Sequence, residues 1–114
     1  MESAIRTYLQ GLATSNYATI SSRIQLSNKS FDDGEGNNKE TKATLELLLI
    51  FNISADGQSK TSFINTVTLE NFLRANNDIK INNIQIEQEL VQVRETVING
   101  LFTRILKIQY SYYI

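Results

Sequence analysis

The residue types that carry most enzyme chemistry are missing from this chain of 114 residues, which has no His and no Cys. Imidazole is the commonest general base and metal ligand near neutral pH, and thiolates are the strong nucleophiles and soft metal ligands. Carboxylates, hydroxyls, amines and phenols remain. Asp32 and Asp33 with Glu35 resemble the opening of a calcium loop, but the later spacing departs from the pattern that completes the oxygen shell, so a solvated loop is expected. Glu87 and Glu95 have no His partner and read as a solvated face. Gly34 and Gly36 follow a strand pattern without opening a helix, which is not how a phosphate cradle is built. Ser59-Lys60 sits beside a hairpin signal with nothing positioned to use it. The sequence therefore predicts no catalytic residue, no metal and no cofactor, and a protein that is not an enzyme.

Binding is the alternative. The 11 Lys and Arg against 12 Asp and Glu give a net charge of −1, so no nucleic-acid partner is expected, because phosphate neutralisation needs a basic surface. The longest apolar run, 45–51, is interrupted by Glu46 and is too short to span a bilayer. Hydrophobic residues at 41% and charged residues at 20% suit a globular core, and the length suits one domain over 1–114. Met1-Glu2-Ser3 leads straight into an amphipathic stretch with no signal-peptide pattern, so a cytosolic chain or a trimmed mature domain is expected.

These residues need elements to hold them. Ser3 can cap a short helix whose apolar stripe is Ile5, Tyr8, Leu9 and Leu12, with Gly11 weakening its end. Residues 17–27 alternate as a strand, and 32–38 form a polar, glycine-bearing loop. Residues 41–54 are the clearest strand: Ala43, Leu45, Leu47, Leu49, Phe51 and Ile53 keep period two. Ala55-Asp56-Gly57-Gln58 supplies a hairpin turn, and 60–73 answer as the partner strand. A long helix is expected from about Asn83 to about Gln109, because Ile86, Leu90, Val93, Val97, Leu101 and Ile105 are spaced four, three, four, four and four. Gly100 falls inside it, as a close approach to the sheet or a tolerated defect. The order α-β-β-β-α predicts an α+β two-layer sandwich, an antiparallel sheet of three to four strands packed on two helices.

On that frame Leu48, Ile50, Ile64 and Phe72 lie on sheet faces opposite the helices. Either they dock a partner, or other parts of the domain or a second copy cover them. Lys42, Arg23, Lys60 and Arg74 flank the strands. Cations at strand ends usually solubilise and protect edges, but converging ones would suit anionic lipid headgroups or phosphates.

The segments "YLQGL", "NYATISSRIQL", "ETKATLELLLIFNISADGQ", "FINTVTLENFLRANN" and "IEQELVQVRETVINGLFTRILKI" follow one another over about residues 3–109. In that order they resemble the LPS-assembly lipoprotein family, LptE, in its alphaproteobacterial form: a short helix, three strands and a Glu/Arg-rich terminal helix. The resemblance implies a non-enzymatic subunit of lipopolysaccharide transport that plugs an LptD-like outer-membrane β-barrel, assists its assembly and contacts lipopolysaccharide. It implies a place on the periplasmic side of the outer membrane, held by a lipid anchor whose Cys this chain lacks. Lys42 occupies the family's basic position before the central strand, and Arg23, Lys60 and Arg74 stand behind it as lipopolysaccharide-binding candidates. The alternative is a small cytosolic or viral interaction module that dimerises through its sheet face.

Overall fold

The computed structural model describes residues 1–16, 21–34, 40–53 and 59–114. Its elements are α1 (Glu2–Asn16), β1 (Ser21–Asp33), β2 (Thr41–Ile53), α2 (Ser59–Ala75), β3 (Asp78–Ile81), β4 (Ile84–Ile98) and β5 (Leu101–Tyr113). The strands form one five-stranded antiparallel sheet in the order β1-β2-β5-β4-β3. Helix α2 carries the chain from one half of the sheet to the other, and β5 then returns to lie beside β2.

The core lies between one sheet face and the two helices. Ile5, Leu9 and Ala13 of α1 and Leu69 and Leu73 of α2 cluster with Leu45, Leu47, Leu49 and Phe51 of β2 and Leu106, Ile108 and Tyr110 of β5. The period-two reading of β2 is what the structure has, with Leu47 fully buried against the helices. Helix α1 also forms where its apolar spacing placed it.

Two expected elements are different. Residues 60–73 form a helix, not a strand. Their β-branched composition favours a strand locally, but the buried positions Thr66, Leu69 and Leu73 follow helical spacing while Ile64 and Phe72 face outward. The side-chain amide of Asn76 donates to the Phe72 carbonyl at 2.8 Å and closes the helix end. The expected long helix over 83–109 is instead most of a β-hairpin, β4 and β5. The observed order is therefore α-β-β-α-β-β-β, and the terminal helix on which part of the family resemblance rested is sheet. Of the expected loop at 32–38, Asp32 and Asp33 belong to β1; residues 35–38, the hairpin signal at 55–58 and residues 17–20 of the first expected strand lie outside the described residues.

Asn99 and Gly100 make the tight turn of the β4–β5 hairpin, with φ of 52° and 78°. Asn82 and Asn83 do the same between β3 and β4, at 52° and 64°. Two successive left-handed residues match the right-handed twist of the strands they join. Gly100 is thus needed for its φ, not for a close approach to the sheet: a Cβ there meets nothing within 4 Å. Gly11 in α1 also has open space around it, at an ordinary helical φ. Urea unfolding should separate the two: Gly100→Ala is expected to lose about 1–2 kcal/mol, and Gly11→Ala to gain up to about 1 kcal/mol. Equal effects of the two substitutions would contradict the turn assignment.

Candidate interaction surfaces

Along the helix-covered face, the sheet buries two polar clusters. In the first, the Tyr110 hydroxyl donates to Gln88 Oε1 at 2.9 Å, and Gln88 Nε2 donates to the Asn76 carbonyl at 2.8 Å. Tyr8 shares a side-chain hydrogen bond with the same Gln88. This network ties the α2–β3 connection to the middle of the sheet, so its role is structural. Burial pushes the Tyr110 phenol far above its ordinary value, and the neighbouring Tyr8 adds to the shift. Burial also raises Tyr8, partly offset by its bond to Gln88.

A phenol whose folded pKa lies above its unfolded value of 10.0 contributes stability that is complete below that value. Above it, the unfolded chain releases a proton that the folded chain keeps, so stability falls as pH rises. Unfolding free energy should therefore drop above about pH 10 by about 1.4 kcal/mol per pH unit for each such phenol. Denaturant titrations through the alkaline range check this, and Tyr110→Phe should flatten the slope.

The second buried cluster is Arg104, whose Nη2 donates to Glu70 Oε2 of α2, with Glu70 also bridging Arg74 at 3.2 Å. Register places Glu95 of β4 directly across from Arg104.

The opposite sheet face has no helix over it among the described residues. Register sets Arg23, Ile50, Ile105 and Arg94 in one row across β1, β2, β5 and β4. The next row holds Gln25, Leu48, Lys107 and Gln92. Ile50 and Ile105 are only 3% and 5% exposed. Lys107 pairs with Glu46 at 3.4 Å, whereas no ion pair involves Arg23 or Arg94 among the described residues.

Charge and apolar exposure are distributed unevenly along the 59 Å long axis. At the β4–β5 turn, Val97, Leu101 and Phe102 are 65%, 41% and 40% exposed, with half-buried Ile98 between them. Arg94 and Arg23 lie a few residues behind on the outer face. The other end of the sheet carries Asp32, Asp33, Glu40, Asp78, Glu87 and Glu89 together with Lys29, Lys42 and Lys80. The apolar end therefore carries Arg23 and Arg94 against Glu95, and the other end carries more acidic than basic residues.

The residues singled out from the sequence do not converge. Leu48 and Ile50 are on the outer sheet face with Arg23, but Ile50 is buried. Ile64 and Phe72 are exposed on α2, on the helical layer and not on the sheet. Lys42 stands at the acidic end, opposite Asp32 and next to Glu87, Tyr112 and Tyr113. Arg74 is on α2 and engages Glu70. Lys60 falls in the first turn of α2, and its side chain lies outside the described residues. Asp32 and Asp33 are successive strand residues, so they face opposite sides, and no metal-holding group of acidic residues occurs among the described residues. Sequence reasoning did not pick out Val97, Leu101 and Phe102 as a surface, because a helix stripe absorbed them. The Asn99-Gly100 dipeptide was the signal that places them at a turn.

No protein-family model matches the chain, and no curated protein matches it. A solved structure that carries no functional name is similar over 97% of this chain and 92% of its own, with a TM-score of 0.56 and 10% identical residues. At that identity the likeness shows a shared fold and nothing about activity.

Proposed function

We propose that this chain is a non-catalytic docking module that seats its β4–β5 end in an anionic amphipathic surface, of the lipid A class that the family resemblance implies. The observation that carries the reading is the pairing of exposed Val97, Leu101 and Phe102 at the turn with Arg94 behind them, a cation without an acidic partner among the described residues. Ile98 lies four residue steps along the strand from Arg94, about 13 Å. Apolar side chains at a tip can enter the acyl boundary by about 5–10 Å while a long cation behind them reaches the headgroups. In this arrangement the β4–β5 end does the binding, and Lys42 is not part of it.

Co-sedimentation with phosphatidylcholine vesicles, with vesicles containing phosphatidylglycerol, and with lipopolysaccharide micelles tests the reading. The anionic particles should pellet the protein and the neutral ones should not. Arg94→Gln is expected to weaken binding about fivefold, the effect of roughly 1 kcal/mol for one cation at an anionic surface. Leu101→Asp with Phe102→Asp should abolish it while the far-ultraviolet spectrum is kept. Equal binding to neutral and anionic vesicles, or binding unchanged in both variants, would overturn the proposal.

The wider reading, a subunit of lipopolysaccharide transport on the periplasmic side of the outer membrane, adds a barrel partner. Co-purification with an LptD-like barrel is its test. Self-association through the outer sheet face draws support from half-exposed Leu48, but Ile50 and Ile105 beside it are already buried, which leaves little apolar surface for a second copy to cover.

A further inference from the structure

Strand β1 is an edge of the sheet, paired to β2 on one side only. Its two halves meet different surroundings, because an extra residue separates Leu26 from Asn28 in the register. Helix α1 flanks the first half, where Arg6 Nη1 donates to the Ile24 carbonyl at 3.4 Å, and Arg6, Gln10, Ser22 and Arg23 line a groove between helix and strand. The second half, Asn28 to Asp33, is exposed throughout, and Glu2 at the start of α1 reaches it through Lys29 Nζ at 3.4 Å. Gly34 N–H donates to the Glu40 carbonyl at 3.0 Å, so residue 34 turns its main-chain groups toward the β2 side. Antiparallel pairing alternates, so Asp33, Phe31 and Lys29 turn their N–H and C=O groups to the open side. The same three side chains share the helix-side face, opposite Thr41, Ala43 and Leu45. Phe31 is 56% exposed, the Lys29 ammonium lies 5.5 Å from its ring centroid, and Asp33 Oδ1 accepts from the Thr41 hydroxyl at 2.8 Å.

We propose that this half-strand pairs antiparallel with the same half-strand of a second copy, across a two-fold axis at Phe31. Such pairing sets Lys29 opposite Asp33 twice, Ser30 opposite Asp32 twice, and Phe31 against itself as a hydrogen-bonded pair. Opposite charges and aromatic pairs directly across two strands are favourable contacts. The bond to Glu2 uses one of the three ammonium donors of Lys29, and the bond from Thr41 uses one acceptor site of Asp33, so both keep the capacity to pair across the axis. The pattern itself selects the occupant. An antiparallel partner must present a base, an apolar residue and an acid at alternate positions along its own chain, and that is the order of Lys29, Phe31 and Asp33. The first half of β1 has no such symmetry: pairing about Ile24 sets Arg23 opposite Gln25 and Ser22 opposite Leu26, and Arg6 already holds the Ile24 carbonyl. Pairing at the second half joins the two sheets into one, with all the helices on the same face. A few strand residues per copy are far short of the roughly 20–30 a side of a stable complex, so the dimer is weak and exchanges with monomer.

Sedimentation equilibrium of the full chain at low salt, from micromolar to millimolar concentration, tests the pairing together with amide exchange. A monomer–dimer equilibrium is expected. The amides of Lys29, Phe31 and Asp33 should become protected as concentration rises, while those of Ser30 and Asp32, already turned to β2, should not change. Lys29→Asp and Asp33→Lys should each weaken dimerisation at least tenfold. The two together should restore it, because the exchange of charges rebuilds both pairs. Phe31→Pro removes an N–H that β2 does not use, so it should abolish dimerisation with the far-ultraviolet spectrum kept. It leaves every charge in place and decides the matter where a charge variant does not fold. The proposal is overturned if the protein stays monomeric to millimolar concentration, if association survives Phe31→Pro, or if the double reversal associates no better than the single ones. Leu101→Asp with Phe102→Asp leaves the β1 edge untouched and should dimerise as wild type does, which separates this pairing from binding at the β4–β5 turn.

Discussion

Leu47→Asp should yield a chain with no cooperative unfolding transition, while Leu48→Asp remains folded. The two residues are neighbours in β2, and only the face differs. Leu47 is fully buried, with Leu26 and Ile108 at its register positions and the helices above. Removing its side chain costs about 2–5 kcal/mol for lost burial and the cavity left behind. The carboxylate then has no partner in that environment, and it must be protonated or drag water in. Together these match the whole stability of about 5–15 kcal/mol expected of a domain. Leu48 is on the uncovered face and can turn a carboxylate to solvent. Circular dichroism melts of both variants check the outcome. If their behaviour were exchanged, the strand would be displaced by one residue, which moves every side chain to the other face.

The second large effect is expected at Glu70. Arg104 is 95% buried as a side chain, being 5% exposed, and Glu70 is 15% exposed. Glu70→Leu strips a buried guanidinium of the carboxylate that its Nη2 donates to, and breaking such a pair from one side costs about 3–5 kcal/mol. Replacing both partners, Glu70→Leu with Arg104→Met, removes the charge together with its counter-charge, and such replacements are often neutral or stabilising. The double variant is therefore expected to be more stable than Glu70→Leu alone. Urea unfolding of wild type, both single variants and the double variant gives the coupling directly. Additive effects would mean that the pair contributes nothing as a pair.

What could be read from the sequence follows from which periodicities survive packing. Helix α1 and strand β2 were legible because each keeps one period from end to end. Strand β4 was not, and the reason is specific. Its covered face is Ile86, Gln88 and Leu90, and then, after a register shift between Leu90 and Gln92, Val93, Glu95 and Val97. With Gln88 and Glu95 polar, the apolar survivors are Ile86, Leu90, Val93 and Val97, spaced four, three and four. A strand with one extra residue thus imitates the stripe of a helix. The Asn99-Gly100 turn signal was the means to separate the two readings. In α2 the buried stripe includes Thr66, which an apolar pattern cannot count. Of the candidate surfaces, the cations could be seen in the sequence but not their grouping. Arg6 and Arg23 are 17 residues apart, and only the packing of α1 beside β1 brings them to one groove.

The register shift in β4 has a counterpart in β1, between Leu26 and Asn28. The two interruptions stand at the same level, since Leu26, Leu47, Ile108 and Leu90 face one another across four strands. β1 is open along its outer side, and β4 is open beyond Glu87, where β3 ends. Both unpaired edges therefore carry a break near their middle. A straight edge of this length is a template on which further chains can stack without limit, as in a fibril. Here a strand laid along either edge falls out of step at Ser27 or at Val91 and cannot continue. The two residues at these register shifts thus limit the length of any strand the sheet can accept.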